Sequence, residues 1–139
     1  MQGHFFEDLS VGQSAEITRT VDAPDIEAFA AVSGDVNPVH LDAAYAEGTP
    51  FKGRIAHGML SAAYISAVLG TRLPGPGAIY LSQSLRFRRP VKIGDMVTAR
   101  VTVQALDERR AHVTFATLCQ VDGRTVVDGE AVVMVPRRG

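Results

Sequence analysis

The segment Gly58-Met59-Leu60-Ser61-Ala62-Ala63-Tyr64-Ile65-Ser66-Ala67-Val68-Leu69 decides the fold. It carries no charged side chain, and Gly70 follows it as a stop signal for a helix. Met59, Leu60, Ala62, Ala63, Tyr64, Ile65, Ala67, Val68 and Leu69 go nearly all the way round a helical projection. A helix apolar on every side is expected to be buried on every side. In a chain of 139 residues, one curved sheet wrapped around it would do this most simply. The segment is too short for a membrane span, which needs about 20 apolar residues, and Ser61 and Ser66 interrupt it.

Strand patterns supply that sheet. Residues 13–21 alternate weakly, and in 78–87 Ile79, Leu81, Leu85 and Phe87 alternate with Tyr80, Ser82, Ser84 and Arg86. In 96–106, Val97, Ala99, Val101, Val103 and Ala105 share a face, as do Val113, Phe115, Cys119 and Val121 in 111–121. Asp122-Gly123 is a tight hairpin turn into a last strand, 125–135, so the final three strands should form an antiparallel meander. A second, shorter helix is predicted from Pro24 to about Ser33, capped by Asp22, acidic in its first turn, and ended by Gly34. The expected class is α+β: a long antiparallel sheet around one central helix, as a single domain over 1–139.

Composition narrows the function. Lys+Arg 14 against Asp+Glu 15 gives a net charge of −1, without the basic excess of a nucleic-acid binder. The single Cys119 excludes an intramolecular disulfide and any cysteine metal cluster. The N-terminus, Met1-Gln2-Gly3-His4-Phe5-Phe6-Glu7-Asp8, has neither a basic start nor an apolar run. A cytoplasmic protein in a reducing compartment, with no nucleic-acid or membrane partner, is expected.

Between the two helices, residues 35–57 have weak periodicity and several Gly and Pro. Loops of that length are usually functional. Within it, Ser33-Gly34-Asp35-Val36-Asn37-Pro38-Val39-His40 sets an acid and an imidazole across an Asn-Pro turn. The pair can hold one water between them; equally, Asp35 and Asn37 can form an Asx-turn that leaves His40 exposed. Gly58 stands where the apolar helix begins, so its N–H has no intrahelical partner and can face a developing oxyanion. It can also be a glycine demanded only by a sharp turn into the helix. His57 is read as a packing or capping residue, and His4 and His112 as surface residues.

The strings SGDVNPVH, GRIAHGML and FRRPVKIGD resemble those of the MaoC-like hydratase/dehydratase family, most nearly its (R)-specific enoyl-CoA hydratases, which feed polyhydroxyalkanoate synthesis. The resemblance runs from Val11-Gly12-Gln13 to Gly129-Glu130-Ala131. It implies the hot-dog fold, homodimers joined at sheet edges, and an acyl-CoA substrate. It further implies Asp35 and His40 as the catalytic pair, the Gly58 amide as the oxyanion donor, and Asn37 and Ser66 in support. Water would add to carbon 3 of a trans-2-enoyl thioester with no metal or redox cofactor. Leu69, Ile79 and Val132 are candidate acyl-pocket residues, and Arg86, Arg88, Arg89 and Lys92 candidate ligands for CoA phosphates. Three alternatives stand beside this. One is a 3-hydroxyacyl dehydratase acting on a carrier-protein thioester. A thioesterase is disfavoured because 58–69 holds no Asp or Glu. The last is a non-catalytic acyl-CoA-binding module.

Overall fold

The computed structural model describes residues 1–139. Six strands form one antiparallel sheet: β1 (Ser14–Thr20), β2 (Ile79–Gln83), β3 (Arg86–Phe87), β4 (Met96–Asp107), β5 (His112–Val121) and β6 (Arg124–Met134). Their order is β1-β4-β5-β6-β2, with β3 also on β6. The helices are α1 (Ala23–Ser33), α2 (Pro38–Leu41), α3 (Ala43–Glu47) and α4 (Gly58–Thr71). The sheet curls over α4, which packs against β1, β4, β5 and β6. This is the hot-dog arrangement.

The meander β4-β5-β6 forms as the alternation predicts, and Asp122 and Gly123 both take positive φ (51° and 76°), as its tight turn requires. Val97, Ala99, Val101 and Val103 of β4 are fully buried against α4. Beyond a bulge after Val103 the phase reverses: Ala105 is exposed and Leu106 packs on the core.

Three expectations need correction. The stretch 78–87 is two short strands rather than one, broken at Ser84 and Leu85, and within β2 Leu81 is a bulge between the pairs Tyr80–Val133 and Ser82–Val132. Gly70 does not stop the central helix, which continues to Thr71. There the Leu73 and Gly75 N–H groups reach back to the Val68 and Leu69 carbonyls (3.0 and 2.9 Å), and Pro74 cannot continue a helix. Nor is α4 covered all round. Leu60, Ser61, Tyr64, Ile65, Val68 and Leu69 are buried, but Met59, Ala63, Ser66 and Gly70 form an exposed stripe at helical spacing. The sheet reaches round only part of the helix, and the open stripe lies beside edge strand β2.

The 35–57 span is not structureless. The Asn37 side-chain oxygen accepts the Val39 N–H (3.1 Å) and caps α2, and Asp42 caps α3 through the Tyr45 N–H (3.1 Å). The Ala56 N–H donates to Val91 O (2.7 Å), which ties the end of the span to the strand layer just before α4.

Candidate active site

Gly34 ends α1 in the left-handed conformation (φ 80°), turning the chain so that Asp35 follows at the surface. One Asp35 carboxylate oxygen accepts the Asn37 N–H (3.2 Å). The Asx-turn therefore exists, yet His40 is not exposed: α2 carries it inward, and only 8% of it meets solvent. Asn37 holds the Asp35 carboxylate through its backbone N–H, while its side chain is committed to capping α2.

His40 is held at both ends. Its Nδ1–H donates to the Ile55 carbonyl (2.8 Å), which leaves Nε2 with a free lone pair, and its own carbonyl accepts Arg54 Nε–H (2.6 Å). The Arg54 guanidinium extends toward Glu27 on α1 (3.9 Å). His57 lies beneath: its Nε2–H donates to the Asp35 carbonyl (2.9 Å) and its ring stacks on His40, centroids 3.8 Å apart. Asp35, His40 and His57 each offer a side-chain atom within 4.8 Å of the others. His57 packs, on His40 and Phe29, and stands at the N-cap of α4, as its place before Gly58 suggested; the hydrogen bond from its Nε2–H to the Asp35 carbonyl is what the sequence did not show.

These three residues do not fit a metal ion. An ion shared by the stacked imidazoles, 3.8 Å apart, would sit roughly 1.9 Å out of each ring plane, whereas a metal–nitrogen bond of about 2.0–2.1 Å lies along the in-plane lone pair.

Gly58 follows as the first residue of α4, and its N–H has no acceptor in the protein. A Cβ there would lie 2.6 Å from two ring carbons of Phe87, so glycine is what lets the Phe87 ring lie as it does over the helix N-terminus. A cavity of about 340 Å³ opens here, lined by His57, Gly58, Phe87, Arg88 and Arg89 among others. The helix dipole and the free Gly58 N–H make this a place where negative charge on an oxygen is stabilised.

The other candidates divide. Ser66 is not brought to the Asp35–His40 pair; it opens onto a separate cavity of about 550 Å³ with Phe29, Met59, Ala62, Ala63 and Tyr80. Leu69 lines a smaller adjoining one of about 200 Å³ with Tyr80 and Val133. Ile79 and Val132 do not face these spaces. Ile79 pairs with Met134, on the face of β6 opposite buried Ala131 and Val133, and Val132 shares that outer face. Tyr80 and Val133 hold the inward positions instead. Tyr80 also donates to Gln83, whose amide donates to Thr117 Oγ1 (2.9 Å), a polar strip that sequence patterning did not show. Burial raises the Tyr80 phenol above its ordinary pKa.

Of the cationic cluster, Arg88 and Arg89 reach the 340 Å³ cavity. Both are engaged, Arg88 with Asp128 (3.1 and 3.3 Å) and Arg89 with the Thr125 carbonyl (2.9 Å). Arg86 lies on the other face of β3 from Phe87, and Lys92 is exposed outside the cavity lining. Burial pushes the Cys119 thiol up to about 12, so it offers no nucleophile. No helix is long and apolar enough to cross a membrane.

The chain is 60% identical over 136 residues to an (R)-specific enoyl-CoA hydratase of Rhodospirillum rubrum, covering 98% of this chain and 94% of that one. Its structure matches an unliganded R-hydratase from Pseudomonas aeruginosa with TM-score 0.93 at 52% identity, covering 98% and 88% of the two chains. It matches an (R)-hydratase from A. caviae involved in PHA biosynthesis with TM-score 0.91 at 48% identity, covering 94% and 99%. Residues 8–124 match the family model described as MaoC like domain, and the chain belongs to that family.

Proposed function

We propose that this protein is an (R)-specific enoyl-CoA hydratase, adding water reversibly to trans-2-enoyl-CoA to give (R)-3-hydroxyacyl-CoA. The observation that carries this reading is the meeting of the Asp35 carboxylate and the His40 ring, within 4.8 Å, in the loop that delivers the unpaired Gly58 N–H. The names of the relatives support it.

The substrate's thioester oxygen accepts the Gly58 N–H at the positive end of α4, which draws electron density from carbon 3. A water donates one hydrogen to Asp35 and the other to the free Nε2 of His40. As the water oxygen bonds to carbon 3, Asp35 takes its proton and the C2=C3 electron pair moves toward the thioester oxygen. The proton that Asp35 took passes to Nε2 of His40 and from there to carbon 2 as the enolate collapses, which restores the Asp35 carboxylate and leaves the water's second hydrogen on the new C3 hydroxyl. The sum is one water added across one double bond, balanced without metal or redox cofactor. Run backwards, the same groups dehydrate the 3-hydroxyacyl thioester.

The acyl chain is proposed to follow the apolar cavities along α4, past Ser66 toward Leu69. Arg88 and Arg89 stand at the mouth of the 340 Å³ cavity, where CoA phosphates would pass. A second copy of the chain is proposed to cover the edge of β2. That strand pairs only with β6, and Ile79, Tyr80 and Leu81 on it are exposed beside the open Met59 stripe. A cytoplasmic location completes the reading.

The test is loss of enoyl-thioester absorbance with crotonyl-CoA, run beside an assay for free thiol. Turnover without thiol release supports hydration. Release of free CoA would instead mark a thioesterase, and activity confined to the carrier-protein thioester would mark a dehydratase of fatty-acid synthesis.

A further inference from the structure

We infer that His57 is the residue that sets the register of the reacting groups, a positioning residue on which Asp35, His40 and Gly58 all depend. This rests on the hydration reading above. His57 is only 3% exposed, and its Nε2, its ring faces and its backbone each make a defined contact. Its Nε2–H fixes the carbonyl of Asp35, and with it the backbone from which the catalytic carboxylate springs (2.9 Å). One ring face lies on His40, nearly parallel at 23°. Phe29 of α1 packs against the ring at 4.9 Å, tilted by 51°. Its own backbone is the N-cap of α4, so its conformation aims the next N–H, that of Gly58.

The remaining ring nitrogen, Nδ1, is buried and has no hydrogen-bond partner. An orphan buried acceptor costs stability, and an apolar ring of similar size would avoid that cost. A role confined to packing therefore gives no reason for imidazole here. What imidazole supplies is a flat ring that stacks on His40 and, from its edge, a donor aimed at Asp35. It follows that the ring proton resides on Nε2 and that Nδ1 is bare.

Two variants separate these contributions. His57→Phe keeps a ring against His40 but loses the donor; His57→Gln restores a donor near the Nε2 position but loses the stack. A displacement of about 1 Å in reacting groups can cost about 10²-fold in rate. We expect His57→Phe to lower kcat for crotonyl-CoA by about that factor with KM nearly unchanged, and His57→Gln to recover part of it. Both variants should keep thermal midpoints close to wild type. A kcat for His57→Phe within threefold of wild type would overturn the inference. So would parallel collapse of kcat and thermal midpoint in both variants, the signature of a merely structural residue.

A second measurement needs no turnover. Ring-nitrogen NMR of the folded wild-type protein should place the His57 proton on Nε2 and the His40 proton on Nδ1, and His57→Phe should shift the His40 ring signals. A proton on His57 Nδ1, or an unmoved His40, refutes the positioning role. Absence of turnover in the wild type would refute the hydratase reading alone.

Discussion

Gly58→Ala is the substitution whose consequences the structure specifies most closely. The added Cβ would lie 2.6 Å from the Cδ1 and Cε1 atoms of Phe87, against an ordinary carbon–carbon separation of about 3.5–4.0 Å. About 1 Å of overlap must be relieved. Phe87 is the part that can give, since its ring is 55% exposed on short strand β3, whereas Gly58 is pinned between His57 and a buried helix. The fold should therefore survive, with the better helix propensity of alanine, at most about 1 kcal/mol, offsetting lost Phe87 packing. Activity should not survive so well. The methyl and the displaced ring change the space in front of the Gly58 N–H, and losing one oxyanion donor costs about 10²–10³ in kcat. Crotonyl-CoA hydration should fall by that order while the thermal midpoint moves by only a few degrees. Phe87→Ala in the same background should restore part of the rate, because it removes the clash. Full activity in Gly58→Ala would refute the oxyanion assignment, and loss of the fold would refute the claim that Phe87 yields.

Other perturbations separate chemistry from architecture. Asp35→Asn and His40→Ala should each lower kcat by about 10²–10⁴ with little change in thermal midpoint; equal loss of both quantities would make the pair structural. Gly129→Ala should damage folding rather than chemistry. Its Cβ would fall 1.8 Å from the Ser84 carbonyl oxygen, a backbone atom that cannot swing aside, and overpacking typically costs 1–3 kcal/mol or more; a normal thermal midpoint would contradict the β2–β6 geometry. Cys119, with its thiol pushed up to about 12 by burial, stays protonated at pH 8 and should resist a disulfide reagent until the protein is denatured. Rapid labelling of the native protein would show that the sheet interior is open.

The parts of the fold that were legible in the sequence are those where one physical pattern dominates. The β4-β5-β6 meander followed from strict alternation and Asp122-Gly123. The buried position of α4 followed from its composition, but its open stripe did not: Met59, Ala63 and Ser66 are as compatible with burial as their neighbours, and only the reach of the sheet decides which face stays bare. Bulges defeated the phase of alternation. One extra residue at Leu81 put Tyr80 rather than Ile79 on the inward face, and one after Val103 put Leu106 rather than Ala105 there. In the site, Asp35, His40 and Gly58 were read from their order in the chain. The contacts that hold them were not. The Ile55 carbonyl, Arg54 and His57 act through backbone approaches across 14–22 residues, which no local pattern reports.

The central claim is that Asp35, His40 and Gly58 together add water to one face of a trans-2-enoyl thioester. Its most direct test is the stereochemistry of the 3-hydroxybutyryl-CoA formed from crotonyl-CoA, measured for the wild type beside Asp35→Asn. Rapid formation of the (R) product by the wild type is expected, reduced by at least about 10²-fold in the variant. Formation of the (S) product, or an Asp35→Asn variant as fast as wild type, would contradict it.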